Sequence, residues 1–304
     1  MRYIDRYFYK PSLSQKLLAL ALFPLSVLYC LAASLRRKIA PTKDFHIPII
    51  SVGNLIAGGS GKTPFILEIT KDYSNIAIIS RGYKRQSKGL LIVSKQGKIC
   101  STQAQAGDEA YMLAQMAKNA TIIVSKQRDL AIKKAKELGC KVVFLDDGFR
   151  FQYKKLNILL KPKLEPYFKL CIPSGLYREN PRLYKTADIL ALEGQEYQRE
   201  VQVIAPTQRM LLITAIANPS RLQEYLPDVV GKITFSDHAT FDIDYLCKAA
   251  KAHQATSLLV TQKDAVKLQN CPLPLSILKL NLQIAPHIKE KIHAYIQAHS
   301  PHKS

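Results

Sequence analysis

Residues 46–63 read "HIPIISVGNLIAGGSGKT". An apolar run at Ile47–Val52 leads into a glycine-rich turn that closes on Gly61-Lys62-Thr63. A helical pattern then covers Lys62–Thr70. The strict phosphate-loop spacing is G-x-x-x-x-G-K-[ST], and Ile56 stands where its first glycine belongs. Two readings compete: a phosphate loop with an altered entrance, or a plain turn. The plain turn leaves Gly-x-Gly-Lys-Thr at a strand–helix junction unexplained. In the first reading the segment Ile56, Ala57, Gly58, Gly59, Ser60, Gly61, Lys62 and Thr63 cradles a nucleotide. Backbone N–H groups and the helix N-terminus face the phosphates, Lys62 reaches the terminal ones, and the Thr63 hydroxyl ligates Mg²⁺.

Such a loop needs an acidic partner at the end of a neighbouring strand. The segment 141–150, "KVVFLDDGFR", runs four apolar residues into Asp146 and Asp147. Two carboxylates closing a buried strand are costly unless a cation or hydrogen bonds meet them, which makes both candidate Mg²⁺ ligands. An ordinary Asp-Gly turn is the plainer alternative. "QAGDEAYML" places Asp108 and Glu109 at a helix start, where capping is the simple explanation. "TFSDHATF" places Asp237 and His238 between apolar elements, where a structural histidine is as common as a catalytic one.

From residue 46 onward strands and helices alternate, the pattern of a parallel sheet covered on both faces. Expected strands are 47–52, 76–80, 90–93, 121–124 and 141–145, with helices over 62–70, 108–118 and 128–138. Residues 161–206 read as Pro-rich and irregular, and a second alternating set follows. The expected architecture is a phosphate-loop-type α/β domain over 46–206 and a smaller α/β domain over 207–304, preceded by a hydrophobic N-terminal segment over 1–45.

That N-terminal segment contains Leu17–Leu35, 19 residues without a charge, followed by Arg36, Arg37 and Lys38. Residues 1–45 carry eight Lys/Arg against two Asp. A secretory signal would send the loop away from ATP. A buried core helix would sit awkwardly with Pro24 and with basic flanks at both ends. A membrane anchor, spanning or lying in the interface, fits those flanks best, with the bases on anionic headgroups.

The 304 residues carry 44 Lys+Arg against 23 Asp+Glu, a net +21 that calls for a polyanionic partner, nucleic acid or an anionic membrane. The six cysteines lie at least 24 residues apart, so no C-x-x-C metal or redox pair exists. A phosphate-loop NTPase acting on nucleic acid would explain the charge but leaves the apolar segment without a role. A nucleotide-binding membrane adaptor without turnover is the non-enzymatic alternative.

Taken together, "SVGNLIAGGSGKTP", "ISRGYKR", "GDEA", "VVFLDDGFR", "IPSGLYRE", "FSDHATF" and "VTQKDAVKL" resemble, in order, the signature segments of the tetraacyldisaccharide 4′-kinase family of Gram-negative bacteria. That family's loop characteristically lacks the first glycine. Departures are Ala110 for the usual Pro, Arg150-Phe151 after Asp-Asp-Gly-Phe, and Gln262 for Glu. The resemblance implies two α/β/α domains with the active site in the cleft between them. It implies ATP- and Mg²⁺-dependent phosphorylation of the 4′-hydroxyl of a tetraacylated glucosamine disaccharide 1-phosphate, giving lipid IV-A at the cytoplasmic face of the inner membrane. No nucleic acid and no obligate protein partner are implied. Carried over by motif, Asp108 is the base, His238 its partner across the cleft, and Lys62 the phosphate-loop lysine.

Overall fold

A computed structural model of the chain describes residues 3–58, 61–216, 219–236, 239–268 and 270–300. A short helix α1 (Tyr3–Tyr9) precedes the long apolar helix α2 (Leu13–Ile39), which runs through Pro24. The α/β alternation then begins with β1 (Ile49–Gly53), α3 (Lys62–Thr70) and β2 (Ile76–Ser80). It continues through β3 (Leu91–Lys95), β4 (Lys98–Ile99), α4 (Gln103–Ala106), α5 (Asp108–Met116) and β5 (Ala120–Val124). Next come α6 (Arg128–Glu137), β6 (Val142–Asp146), β7 (Leu156–Lys161), β8 (Ile189–Leu192) and β9 (Tyr197–Ile204). The remainder is β10 (Met210–Thr214), β11 (Gly231–Thr234), α7 (Ile243–Ala252), β12 (Ser257–Thr261), α8 (Gln262–Ala265), β13 (Leu275–Ile284) and α9 (Pro286–His299).

The first sheet has the order β4-β3-β5-β2-β6-β1-β7-β8, parallel from β5 to β8 with an antiparallel edge at β3 and β4. Strands β1, β2 and β5 are buried throughout because helices cover both faces. Successive side chains divide between those faces. Ile50, Val52, Ile76 and Ile78 pack in one core, while Ile49, Ala77, Ile79 and Val143 pack in the other. β1 lies between β6 and β7, with Val52 opposite Asp146, so the loop after β1 and the carboxylates after β6 emerge side by side at the carboxyl edge.

The second sheet is β11-β10-β12-β13-β9, parallel except for β9. Residues 161–206, read from sequence as irregular, contain β8 and β9. In β9 the outward Gln198, Glu200 and Gln202 dilute the apolar signal of the inward positions. β9 and β13 form a long antiparallel ribbon that joins both halves: Tyr197 and Leu282 belong to the core of the first sheet that holds Ile50 and Val52, and Leu278 to a core of the second sheet with Met210, Leu212 and Leu259. The last helix leaves the second sheet altogether. Ile288, Ile292 and Ile296, spaced as one helical stripe, close the first core.

Helix α2 is inverted relative to an ordinary amphipathic helix. Its outward face carries Leu17, Leu20, Leu25, Leu28 and Leu31, all exposed, while Gln15, Ala19 and Ser26 are buried against the body. The docking is polar: Ser174 donates from its N–H to Ser26 Oγ (2.9 Å) and from its hydroxyl to the Ala19 carbonyl (2.9 Å). Tyr7 donates to the Ser174 carbonyl at 3.0 Å.

Candidate active site

The loop after β1 answers the question posed by Ile56. This residue is 4% exposed, forms a bridge with Tyr177, and packs among Leu55, Phe149 and Leu159. The next residue, Ala57, donates its N–H to the Leu176 carbonyl at 2.8 Å. A glycine would add freedom where this loop needs a buried anchor. The conformational demand falls later, at Gly58 (φ 109) and Gly61 (φ 77), backbone angles that favour glycine. Gly61 caps α3, whose first residues are Lys62 and Thr63. Gly59 and Ser60 lie outside the described residues.

Lys62 Nζ donates to Asn54 Oδ1 at 3.2 Å and stands 4.0 Å from Asp147 Oδ1. Asn54 is buried and fixed by its own amide, which donates to the Ile56 carbonyl at 2.7 Å. Arg178 completes the cluster, donating to both Asp147 oxygens (2.8 and 2.9 Å) and to Asn54 Oδ1 (2.8 Å). Asp147 adopts a left-handed backbone (φ 58), a conformation Asp tolerates better than most residues, as its carboxylate meets this fork.

The two adjacent carboxylates diverge in character. Burial raises Asp147, but hydrogen bonds from Arg178, the Lys62 charge and Arg150 outweigh it and bring the group down to about 2. Asp146 is pushed up to about 6 by burial, against the pull of Lys62 and with help from Asp147 and Glu109. Its Oδ1 is buried with no hydrogen-bond partner. An orphaned carboxylate oxygen beside the phosphate loop suits a hard, oxygen-seeking divalent cation. Of the pair, Asp146 has an oxygen without a partner, whereas each oxygen of Asp147 already accepts from Arg178.

Asp146 also makes a stability prediction. Folded Asp146 keeps its proton up to about pH 6, whereas its ordinary value is 3.8. The folded state therefore binds more protons between these values, and stability falls as pH rises through that window. Asp146→Asn should raise the melting temperature of nucleotide-free protein without Mg²⁺ at pH 8. The gain should shrink as pH falls through about 6, and thermal denaturation across pH 5–8 checks it. Mg²⁺ should raise the melting temperature of the unsubstituted protein and leave the variant unmoved.

Arg128, at 3% exposure, holds the strand ends in register. It donates to the carbonyls of Ser80 (2.6 Å), Ser125 and Asp146 (3.1 Å), at the ends of β2, β5 and β6. Burial lowers its pKa against the opposing charges of Asp146 and Asp147. The family departure Phe151 lies beneath this guanidinium, 5.9 Å from its ring centre.

Asp108 opens α5 and is met by Lys267 from the segment after β12, whose Nζ is 3.3 Å from Oδ2. Gln103 donates to its Oδ1 at 3.0 Å. Lys267 also donates to the Ala239 carbonyl (2.9 Å), and Lys263 pairs with Glu109 at 3.5 Å. The fold thus carries the first turn of α5 to the segment after β12. Asp237 and His238 lie outside the described residues. Asn54, Arg178, Lys263 and Lys267 were not singled out as site residues from sequence. Each stood inside a quoted segment, but nothing local to the chain marks which polar residue of a segment turns inward.

Helix α2 reaches this cluster directly. Tyr29 donates to the Arg178 carbonyl (3.2 Å), and Arg37 donates to the Phe149 carbonyl (3.2 Å) while stacking 4.2 Å from the Phe149 ring centre. Beside it lies a cavity of about 760 Å³ whose walls include Arg36, Lys43, Arg81, Lys126, Arg128 and Arg150, with Asp147 in its lining.

A glycine loop between a central parallel strand and a helix, with a carboxylate pair closing the adjacent strand, defines a phosphate-loop nucleotide-binding protein of the doubly wound α/β class. The profile of tetraacyldisaccharide-1-P 4′-kinase (LpxK) matches residues 18–210 and 195–299. Tetraacyldisaccharide 4′-kinase of Helicobacter pylori (strain J99 / ATCC 700824) is 57% identical, covering 97% of this chain and 95% of its own length. The enzyme of that name from Campylobacter jejuni (serotype O:23/36, strain 81-176) is 42% identical, covering 97% and 96%. The crystal structure described as the "apo" form of LpxK from Aquifex aeolicus in complex with ATP superposes with a TM-score of 0.76 at 28% identity. It covers 92% of this chain and 99% of that one. The chain belongs to the tetraacyldisaccharide 4′-kinase family.

Proposed function

We propose that this protein transfers the γ-phosphoryl group of ATP to the 4′-hydroxyl of a tetraacylated glucosamine disaccharide 1-phosphate, working on lipid that stays in the bilayer. The observation that carries this reading is Arg178. Its guanidinium grips Asp147 beside Lys62, and its carbonyl accepts from Tyr29 of the apolar helix. One residue thus ties a phosphoryl-transfer cluster to a lipid-facing element. The basic cavity between them suits a phosphorylated headgroup.

In the proposed reaction the sugar oxygen bonds to the γ-phosphorus as the bond to the ADP oxygen breaks, and the hydroxyl proton passes to Asp108. Mg²⁺, held by Asp146 and Thr63, would supply charge neutralisation at the phosphates. Lys62 offsets charge on the migrating group. Gln103 and Lys267 hold the Asp108 carboxylate in place, and His238 is proposed as its further partner.

Helix α2 is proposed to lie in the cytoplasmic leaflet of the inner membrane without crossing it. Contacts to the body run from Lys16, over the Tyr167 ring, through Ala19, Ser26 and Tyr29, to Arg37. That is about 32 Å of helix at 1.5 Å per residue, so the helix is clamped along a length comparable to the bilayer core. Its exposed leucines would enter the acyl region, with Arg36 and Lys38 at the headgroups. Changing Leu20, Leu28 and Leu31 together to Gln should weaken partition onto anionic vesicles by at least about tenfold per side chain, read by flotation.

Purified protein in mixed micelles with γ-labelled ATP and the lipid acceptor tests the whole reading. Label in lipid supports it. ATP hydrolysis stimulated by nucleic acid alone would favour a nucleic-acid NTPase, and ATP binding without turnover would favour a membrane adaptor.

A further inference from the structure

Strand β9 carries an alternation that one residue breaks. Tyr197, Arg199, Val201 and Val203 face inward, and the residues between them face solvent. Tyr197 belongs to a core of the first sheet, while Val201 and Val203 pack on a core of the second sheet. Arg199 falls between the two, with its side chain 13% exposed. A guanidinium placed there is costly unless its charge is matched.

Part of the match is Glu193. Its Oε1 lies 2.6 Å from Arg199 Nε, and its Oε2 accepts from the Lys163 N–H at 3.1 Å, so the carboxylate is itself fixed. The outer nitrogen of Arg199 serves a different place. A β-carbon built on Gly61 would stand 3.4 Å from Arg199 Nη2. The Tyr197 ring packs edge-on against Phe65 of α3 at 5.6 Å, which sets the strand beside the start of that helix. A cation is thereby held at the positive end of α3, the reverse of what the helix dipole favours. An anion seated between them removes the mismatch, and Gly61 belongs to the loop read as the nucleotide's phosphate cradle.

We propose that Arg199 is a phosphate-contacting residue of the nucleotide site, donating from Nη2 to a phosphate oxygen while Glu193 holds the guanidinium from behind. The proposal rests on the ATP-site reading above and extends it to the ribbon that joins the two sheets. Because β9 pairs with β13 along its length, the contact would link occupancy of the loop to the element both halves share.

The test uses full-length protein in detergent and reads the dissociation constant of a fluorescent ATP analogue for the unsubstituted chain, Arg199→Gln, Arg199→Met, Arg199→Lys and Glu193→Gln. Losing a charge-assisted phosphate contact should weaken binding about 10- to 100-fold in Arg199→Gln. Arg199→Lys should recover part of that loss, and Glu193→Gln, which loosens the guanidinium but leaves it in place, should weaken binding clearly less than Arg199→Gln does. Arg199→Met retains the aliphatic stem and carries the same readout if the Gln variant does not fold. Equal losses in Arg199→Gln and Glu193→Gln would reduce Arg199 to a structural partner of Glu193 and overturn the proposal, as would unchanged ATP affinity in the Gln or Met variant. Lys62→Ala is the control. Weaker binding there with unchanged binding in Arg199→Gln leaves the ATP site standing and removes this inference, whereas an unsubstituted protein that bound no ATP would remove both.

Discussion

Lys62→Ala is expected to lower turnover at saturating ATP by about 10²- to 10³-fold, the cost of removing one preorganised group from a developing charge. The ammonium is already in place. It is held 3.2 Å from the buried Asn54 side chain and 4.0 Å from Asp147, at the first residue of α3. Incoming phosphate would exchange these partners for its own oxygens without a search over rotamers. Because the charge on the migrating group differs between ground and transition states, kcat should fall more than ATP affinity. Rapid-quench measurement of the phosphoryl-transfer step, with ATP binding measured separately, gives both numbers. Near-normal kcat in the variant would end the phosphate-loop reading.

The second large effect is expected at Asp108. A general base contributes about 10²- to 10⁴-fold, so with Asp108 in the proposed role of base, Asp108→Ala should lose turnover on that scale while ATP binding holds. Its carboxylate lies in the first turn of α5, between Gln103 at 3.0 Å and Lys267 at 3.3 Å. Lys267→Met should cost less, because it removes an orienting partner and leaves the base. If the proposed partnership with His238 holds, the Asp108→Ala/His238→Ala double variant should lose far less than the product of the single losses. Losses that multiply would assign the two residues to independent roles.

Much of the first half of the molecule was legible from the chain. The span of α3 and that of β2 coincide with the expected ones, Lys62–Thr70 and Ile76–Ser80. Their signals are local: a fully buried parallel strand is an unbroken apolar run, and a glycine turn ending in Lys-Thr marks the helix start. The Asp146-Asp147 pair was legible for the same reason. β8 and β9 were missed because a four-residue strand carries little periodicity and because Arg199 interrupts the inward face of the other. Helix α9 falls inside the second alternating set read from sequence, but its pattern of Ile288, Ile292 and Ile296 does not say which sheet it covers.

The sequence by itself determined the local grammar: a strand–loop–helix cradle, a carboxylate pair at a strand end, and an uncharged helix with basic flanks. These follow from propensity and periodicity within a dozen residues, where the chain's own geometry leaves few choices. The tertiary structure decided everything that depends on contacts between distant segments. It chose Ile56 as a buried anchor, joined Arg178 to Asp147 and Asn54, and set Lys267 against Asp108. It also laid the apolar helix along the body through Ser174 and returned α9 to the first core. In the extended chain each of these charges is satisfied by water. Only when packing removes that water does each polar group require one particular partner, and the fold brings partners such as Asn54 for Arg178 and Lys267 for Asp108 from more than a hundred residues away.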